Sequence, residues 1–264
     1  MKPTRNGRRK TRLALITGGI GDLGFASAEK MIRKEMRVVL MDRVTESEAK
    51  KRICTLGREK GRASYVHADV TDRDAVESAL DDIWKQFGRL DVCMCNAGIV
   101  TDLPFLEFSV EQWQRHLDVN LTGYFHVCQA VARRWVKAKT RGKFIFTGSW
   151  VQDIPYKLIA PYCVSKAGVW MLARCAALEL APHGITVNVV APGIVSAGLT
   201  AQELREHPEF REEFERLIPL GRMQTAGDVA DVVGFLLSDE SNYLTGASIV
   251  CDGGCVVGAA SAPK

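Results

Sequence analysis

No uninterrupted apolar run in the chain approaches the ~20 residues that a membrane-spanning helix needs. The first twelve residues also lack the apolar core of a secretory signal. No Pro/Ser-rich linker and no long internal repeat divides the 264 residues, so they read as one domain and not as a string of modules. Acids are missing from the start: Lys2, Arg5, Arg8, Arg9, Lys10 and Arg12 all precede the first carboxylate, Asp22. Setting those six aside leaves 29 of the 35 basic residues against 31 acids, so the net charge of +4 belongs to a short arm. Residues 1–11 are expected to be solvated and disordered. A nucleic-acid or acidic-surface contact is the lesser reading of that arm. The eight cysteines share no metal-ligand spacing and lie mostly in apolar segments. They read as small buried hydrophobes of a cytoplasmic, reducing compartment, with no metal site.

What the chain does have is alternation. Short apolar runs near 12–17, 37–41, 63–67, 90–95, 143–146, 186–190 and 248–251 predict strands. Helical patterns lie between them, from 23 onward and over about 45–60, 72–87, 109–138, 160–181 and 227–238. Apolar strands alternating with helices predict an α/β fold, with a mostly parallel sheet covered on both faces. The expected organisation is a single domain over 12–264.

Between the first strand and first helix stands T-G-G-I-G-D-L-G, residues 17–24, containing Gly19-x-Gly21-x-x-Gly24. Glycines there let backbone approach a pyrophosphate, while the helix N-terminus offers free N–H donors. Asp42 ends the second strand eighteen residues after Gly24, suiting a carboxylate that receives adenosine ribose hydroxyls. Its charge would repel a 2′-phosphate, favouring NAD over NADP, although Arg43 stands next to it. Asp69 and Asn96 end the third and fourth strands, where open α/β sheets bind ligands. Either alone also fits a loop cap.

Tyr162 and Lys166 lie four apart on the helix over 160–181, hence on one face. An ammonium beside a phenol favours a phenolate that otherwise forms only near pH ~10. Such a tyrosine moves protons at neutral pH.

These segments together resemble the short-chain dehydrogenase/reductase family over about 12–255. The resemblance rests on T-G-x-x-x-x-x-G, D-V at 69–70, N-A-G at 96–98, D-V-N at 118–120 and G-S at 148–149. Y-C-V-S-K at 162–166, P-G at 192–193 and D-G-G at 252–254 complete it. It implies a Rossmann-like doubly wound, seven-stranded sheet, a nicotinamide dinucleotide cofactor, and a homotetramer or dimer. Position by position, it makes Tyr162 the general acid/base and Lys166 its pKa-lowering partner. Ser149 orients the substrate oxygen, and Asn120 supports a water-linked proton path. Gly18, Gly21, Leu23, Asp42, Asp69, Val70, Asn96 and Val195 would hold the cofactor, with Tyr162 and Lys166 at its nicotinamide ribose.

Two positions depart from the family pattern. Asp22 stands where the family has its middle glycine; Gly21 is expected to supply flexibility there, with Asp22 capping the helix and turned from the pyrophosphate. Ala197 replaces a frequent threonine after Pro192-Gly193, leaving backbone near Val195 to hold the carboxamide. Residues 192–221 are expected to form a charged helical lid, with Leu204, Phe210, Phe214 and Leu217 available to the pocket. Trp150, Gln152 and Asp153 follow Ser149 and suit a sugar or polyol. The leading expectation is therefore an NAD-dependent dehydrogenase of a small hydroxy or keto compound, foremost a sugar or polyol, with Ser149, Gln152 and Tyr162 on the substrate. An NADPH-dependent 3-oxoacyl or other ketone reductase, and a non-catalytic dinucleotide-binding protein, are the alternatives.

Overall fold

Apolar strands with both faces covered need helices above and below, and the computed structural model has that arrangement. It describes residues 11–206 and 210–259. Nearly all of the expected basic arm lies outside the described residues, as do 207–209 of the lid.

In chain order the elements are β1 (Leu13–Thr17), α1 (Asp22–Arg33), β2 (Arg37–Asp42), α2 (Glu46–Cys54), β3 (Ala63–His67), α3 (Arg73–Phe87) and β4 (Val92–Cys95). Then come α4 (Val110–Leu117), α5 (Gly123–Ala138), β5 (Gly142–Thr147), α6 (Ala160–Leu180) and β6 (Ile185–Pro192). The last are α7 (Gly198–Glu206), α8 (Phe210–Arg216), α9 (Ala226–Leu236), β7 (Ser248–Cys251) and α10 (Cys255–Ala259). The sheet has seven strands in the order β3-β2-β1-β4-β5-β6-β7, every pairing parallel. The order reverses between β1 and β4, and a crevice opens there at the carboxyl ends.

All five residues of β1 are buried, and the period of two sends them to different cores. Leu13 and Leu15 join Tyr124, Trp135, Phe144 and Phe146 beneath α3, α5 and α6. Ala14 and Ile16 join Phe25, Met31, Leu40 and Val233 beneath α1 and α9. Each buried large apolar side chain contributes about 1.5–3 kcal/mol, so the two layers hold the strand ends in place. Among the described residues no helix is long and apolar enough to cross a membrane.

Two helix boundaries and one element differ from the sequence reading. The helix expected to 60 stops at Cys54 and gives way to a 3₁₀ segment, Gly57–Arg62. The long helix over 109–138 is broken into α4 and α5 by a π-helical turn, Asp118–Thr122. Such a turn adds a residue to the register and turns a side chain out of the regular helix face; Asn120 sits within it. α10 was not anticipated.

Candidate active site

Gly18 follows β1 with φ +61°, and a Cβ there would come within 2.8 Å of the Ala97 Cα. A side chain is thus excluded by both conformation and space. At Gly24 a Cβ would collide with the Gly18 carbonyl oxygen, so glycine is what allows α1 to start this close to β1. Gly21 is the N-cap of α1, at φ −67° and ψ 162°, an ordinary extended conformation. The flexibility expected of Gly21 is therefore not used. Nor does Asp22 cap the helix: it is the first helical residue, and no side chain caps α1. Its carboxylate turns sideways, accepting from Arg52 Nη2 at 2.9 Å and from the Gly198 N–H at 2.8 Å. The opening N–H groups of α1 have no helical partner and face the crevice, an arrangement suited to an anion.

The crevice floor is knitted by Asn96. Its N–H donates to Thr17 Oγ1 at 2.9 Å, its Nδ2 donates to the Thr17 and Gly18 carbonyls, and its Oδ1 accepts from Thr147 Oγ1. One side chain thus ties β1, β4 and β5 together at their ends. Asp42 accepts the Ile20 N–H at 3.1 Å and the Arg43 N–H at 2.8 Å, fixing its carboxylate at the cleft edge. Asp69 accepts from the Thr71 N–H and hydroxyl. Burial works against its charge, but those bonds, with Arg43 and Arg115, hold the carboxyl below its ordinary range. Gly18, Gly21, Leu23, Asp42, Asp69, Val70 and Asn96 all line one cavity of about 900 Å³, which continues to Ser149, Tyr162 and Lys166. Val195 closes the far side, where residues 193–196 are pinned to Gln224.

At that end, Lys166 is 2% exposed and donates from Nζ to the Thr147 carbonyl at 2.8 Å. Burial lowers its pKa to about 7. The Tyr162 phenol is raised to about 12 by burial, opposed by a hydrogen bond with Ser149. The four-residue spacing does bring the pair together, with Nζ 5.4 Å from the Tyr162 ring centre. Desolvation disfavours both charges, so burial works against the effect of Lys166 on the phenol. Asn120 Oδ1 accepts the Ile99 N–H at 2.8 Å, and its Nδ2 donates to the Ile99 carbonyl and to Ser165 Oγ. The π turn thereby anchors the loop beside Lys166 to α6.

Gln152 departs from its expected place on the substrate. It is 7% exposed, lies off the cavity, and donates from Nε2 to Ser248 Oγ at 2.7 Å. The cause is the 3₁₀ turn Trp150–Gln152, which rotates this amide under Gly148. Asp153 is likewise off the cavity. Trp150 is nearly buried against Tyr156, with one edge on the cavity. Of the lid residues, Phe214 lines the cavity. Leu204 packs into a separate small core with Val151, Ile218, Met223 and Cys255. Leu217 is exposed, and the Phe210 side chain lies outside the described residues.

The substrate end is mostly apolar: Val100, Leu158, Ile159, Ile194 and Phe214 line it. Asp102, also at this end, was missed by the sequence reading. Solvent reaches its carboxyl, yet the surrounding protein raises its pKa by desolvation. Nothing in a loop sequence marks such a residue; its place follows from the Leu103 N–H donating to the Leu158 carbonyl at 2.8 Å, which brings the two loops together.

The same fold occurs in known proteins. A family model described as enoyl-(acyl carrier protein) reductase matches residues 19–256. The chain is 37% identical over 245 residues to 3beta-hydroxysteroid dehydrogenase 1 of Eggerthella lenta, covering 93% of this chain and 94% of that protein. It is 33% identical over 245 residues to glucose 1-dehydrogenase 2 of Bacillus subtilis, covering 92% and 94%. Among solved structures, ElxO with NADP bound superposes with a TM-score of 0.88 at 27% identity, over 94% of this chain and 99% of that one.

Proposed function

The chain belongs to the short-chain dehydrogenase/reductase family, oxidoreductases of CH–OH groups, and from that premise we propose an NAD(H)-linked dehydrogenase of a compact secondary alcohol and its ketone. The observation that carries this reading is the single cavity running from Asp42 to the Ser149–Tyr162–Lys166 cluster.

The cavity fits a nicotinamide dinucleotide: its volume is that of a small-molecule site, with N–H donors at one end and a half-buried proton carrier at the other. Gly18, Gly21 and Leu23 would meet the pyrophosphate, and Asp42 the adenosine ribose. Asp69, Val70 and Asn96 would border the adenine, and Val195 the carboxamide. The Val195 N–H takes no partner among the described residues, which leaves it available for that bond. Tyr162 and Lys166 would hold the nicotinamide ribose. When bound, the cofactor supplies the acceptor or donor of hydride and, in its oxidised form, a positive charge near the phenol.

The protein's own part is the proton. During oxidation the carbinol O–H proton would pass to the Tyr162 oxygen in its phenolate form, as the carbinol carbon gives up hydride and the C–O bond becomes C=O. Ser149, already bonded to the phenol, orients the reacting oxygen. Lys166, with Nζ 5.4 Å from the phenol ring centre, would act together with the oxidised cofactor's positive charge to favour the phenolate against the burial that raises Tyr162. Asn120 braces the loop beside Lys166, past which the proton taken by Tyr162 would leave to solvent.

Asp42 supports NAD, because a 2′-phosphate would meet a fixed carboxylate. Arg43, exposed on the same cavity edge, is the observation that favours the NADP reading. For substrate, the apolar wall favours a ring or branched aliphatic body around the reacting carbinol. A sugar or polyol is the second reading, resting on Asp102 and Lys157 at the cavity mouth. Val164, Met171 and Leu178 recur every seven residues on α6 and are exposed, so we also propose a cytoplasmic homo-oligomer, tetramer or dimer. A screen of NAD and NADP reduction across alicyclic alcohols, hydroxysteroids, sugars and polyols tests the activity. Turnover restricted to sugars would overturn the apolar substrate, and a clear preference for NADP would overturn the cofactor.

A further inference from the structure

α5 begins directly after the π turn, and its second residue, Tyr124, is 1% exposed. Its hydroxyl donates to the Thr147 carbonyl at 3.1 Å. Lys166 Nζ donates to that same oxygen at 2.8 Å. A carbonyl has two lone-pair directions, and here both are taken. The Lys166 ammonium also lies 5.3 Å from the Tyr124 ring centre and 5.4 Å from that of Tyr162. Both distances fall within the ~6 Å over which a ring face attracts a cation.

We propose that Tyr124 is a positioning residue for Lys166: its hydroxyl, bonded to the Thr147 carbonyl, orients the ring, and the ring face holds the ammonium at that carbonyl, beside the Tyr162 phenol. The elements packed around Nζ supply little else. β5 gives the Thr147 carbonyl, and α6 gives Tyr162. The π turn gives Asn120, whose polar atoms are engaged by Ile99 and Ser165. Cys95 of β4 lies near Tyr124, and burial holds its thiol well above its ordinary range, hence neutral. Among the described residues no carboxylate acts on Lys166, and burial lowers its pKa. A buried ammonium without an anionic partner depends on whatever faces it, so an aromatic face is worth most there. Tyr124 is itself no proton carrier, because burial raises its phenol well above the ordinary value.

Packing offers a competing role, since Tyr124 meets Phe146 edge-on at 5.5 Å. The two roles separate in the titration of Lys166. The inference rests on Lys166 serving Tyr162, yet this measurement needs no substrate, so its failure and a failure of the proposed activity are distinct results. The ¹³Cε resonance of Lys166, identified by its loss in Lys166→Met, is followed against pH in the whole protein. Y124L is expected to lower the midpoint by about one pH unit. Y124F, which keeps the ring, is expected to stay within about 0.3 unit. Should Y124L not fold, 3,5-difluorophenylalanine at position 124 keeps the shape while weakening the negative ring face, and should lower the midpoint relative to Y124F. A midpoint unmoved in Y124L or in the fluorinated protein, or moved as far by Y124F as by Y124L, overturns the proposal.

Discussion

Asp22 accepts the backbone N–H of Gly198 at 2.8 Å, so the cofactor-side turn and the first helix of the lid share one carboxylate. The other oxygen takes Arg52, whose guanidinium lies 4.6 Å from the centre of the Phe25 ring. One residue thus ties α1, α2 and α7 together at the cavity edge. A glycine, as the family pattern has here, could make neither bond.

Asp22→Ala should therefore loosen α7. Both bonds are partly solvent-exposed, so the cost to global stability should be no more than about 1 kcal/mol. Locally the effect should be larger, with tryptic cleavage at Arg205 severalfold faster in the variant. Equal cleavage rates would show that the lid is held by other contacts.

Asp42→Ala removes the fixed carboxylate and leaves Arg43 in place. The ratio of kcat/KM for NAD to that for NADP should fall at least tenfold, about 1.4 kcal/mol of lost discrimination. A ratio unchanged by the substitution would place cofactor selection elsewhere on the cavity edge.

Lys166 gives the free protein a pH-dependent stability. Its pKa falls from the ordinary ~10.4 to about 7 on folding, because burial disfavours the ammonium. Below that lower value the lysine is charged in both states and burial costs its full amount. Between the two values the unfolded chain binds the extra proton, so stability climbs with pH. The raised phenol of Tyr162 acts only above its ordinary value near 10, outside this window. Lys166→Met should melt higher than the parent near pH 6.5, with the gap shrinking towards pH ~10. A gap independent of pH would mean that the ammonium is not desolvated in the free protein.

Much of the fold was legible because strands buried on both faces announce themselves as short apolar runs. The break at Asp118–Thr122 was not, since a π turn leaves the helical periodicity of 109–138 intact on paper. The four-residue spacing of Tyr162 and Lys166 does place them side by side, while Ser149 and Asn120 were legible only through the family resemblance. Gln152 misled because a one-turn 3₁₀ segment decides which way it points, and composition carries no trace of that turn. Tyr124 was invisible for a related reason: a tyrosine within an apolar helix reads as core until its partner, here a backbone carbonyl, is located. The sequence names the phenol's neighbour, Lys166, but not the depth of burial that pushes the phenol the other way.

The central claim is that Tyr162 carries the proton of an NAD(H)-linked oxidation. Its most direct test is Tyr162→Phe, assayed for NADH formation on the best alcohol from the screen, with NAD binding followed in parallel by tryptophan fluorescence. Turnover should fall by about 10²–10⁴ while NAD affinity stays within a few-fold. Undiminished turnover in the variant would contradict the account.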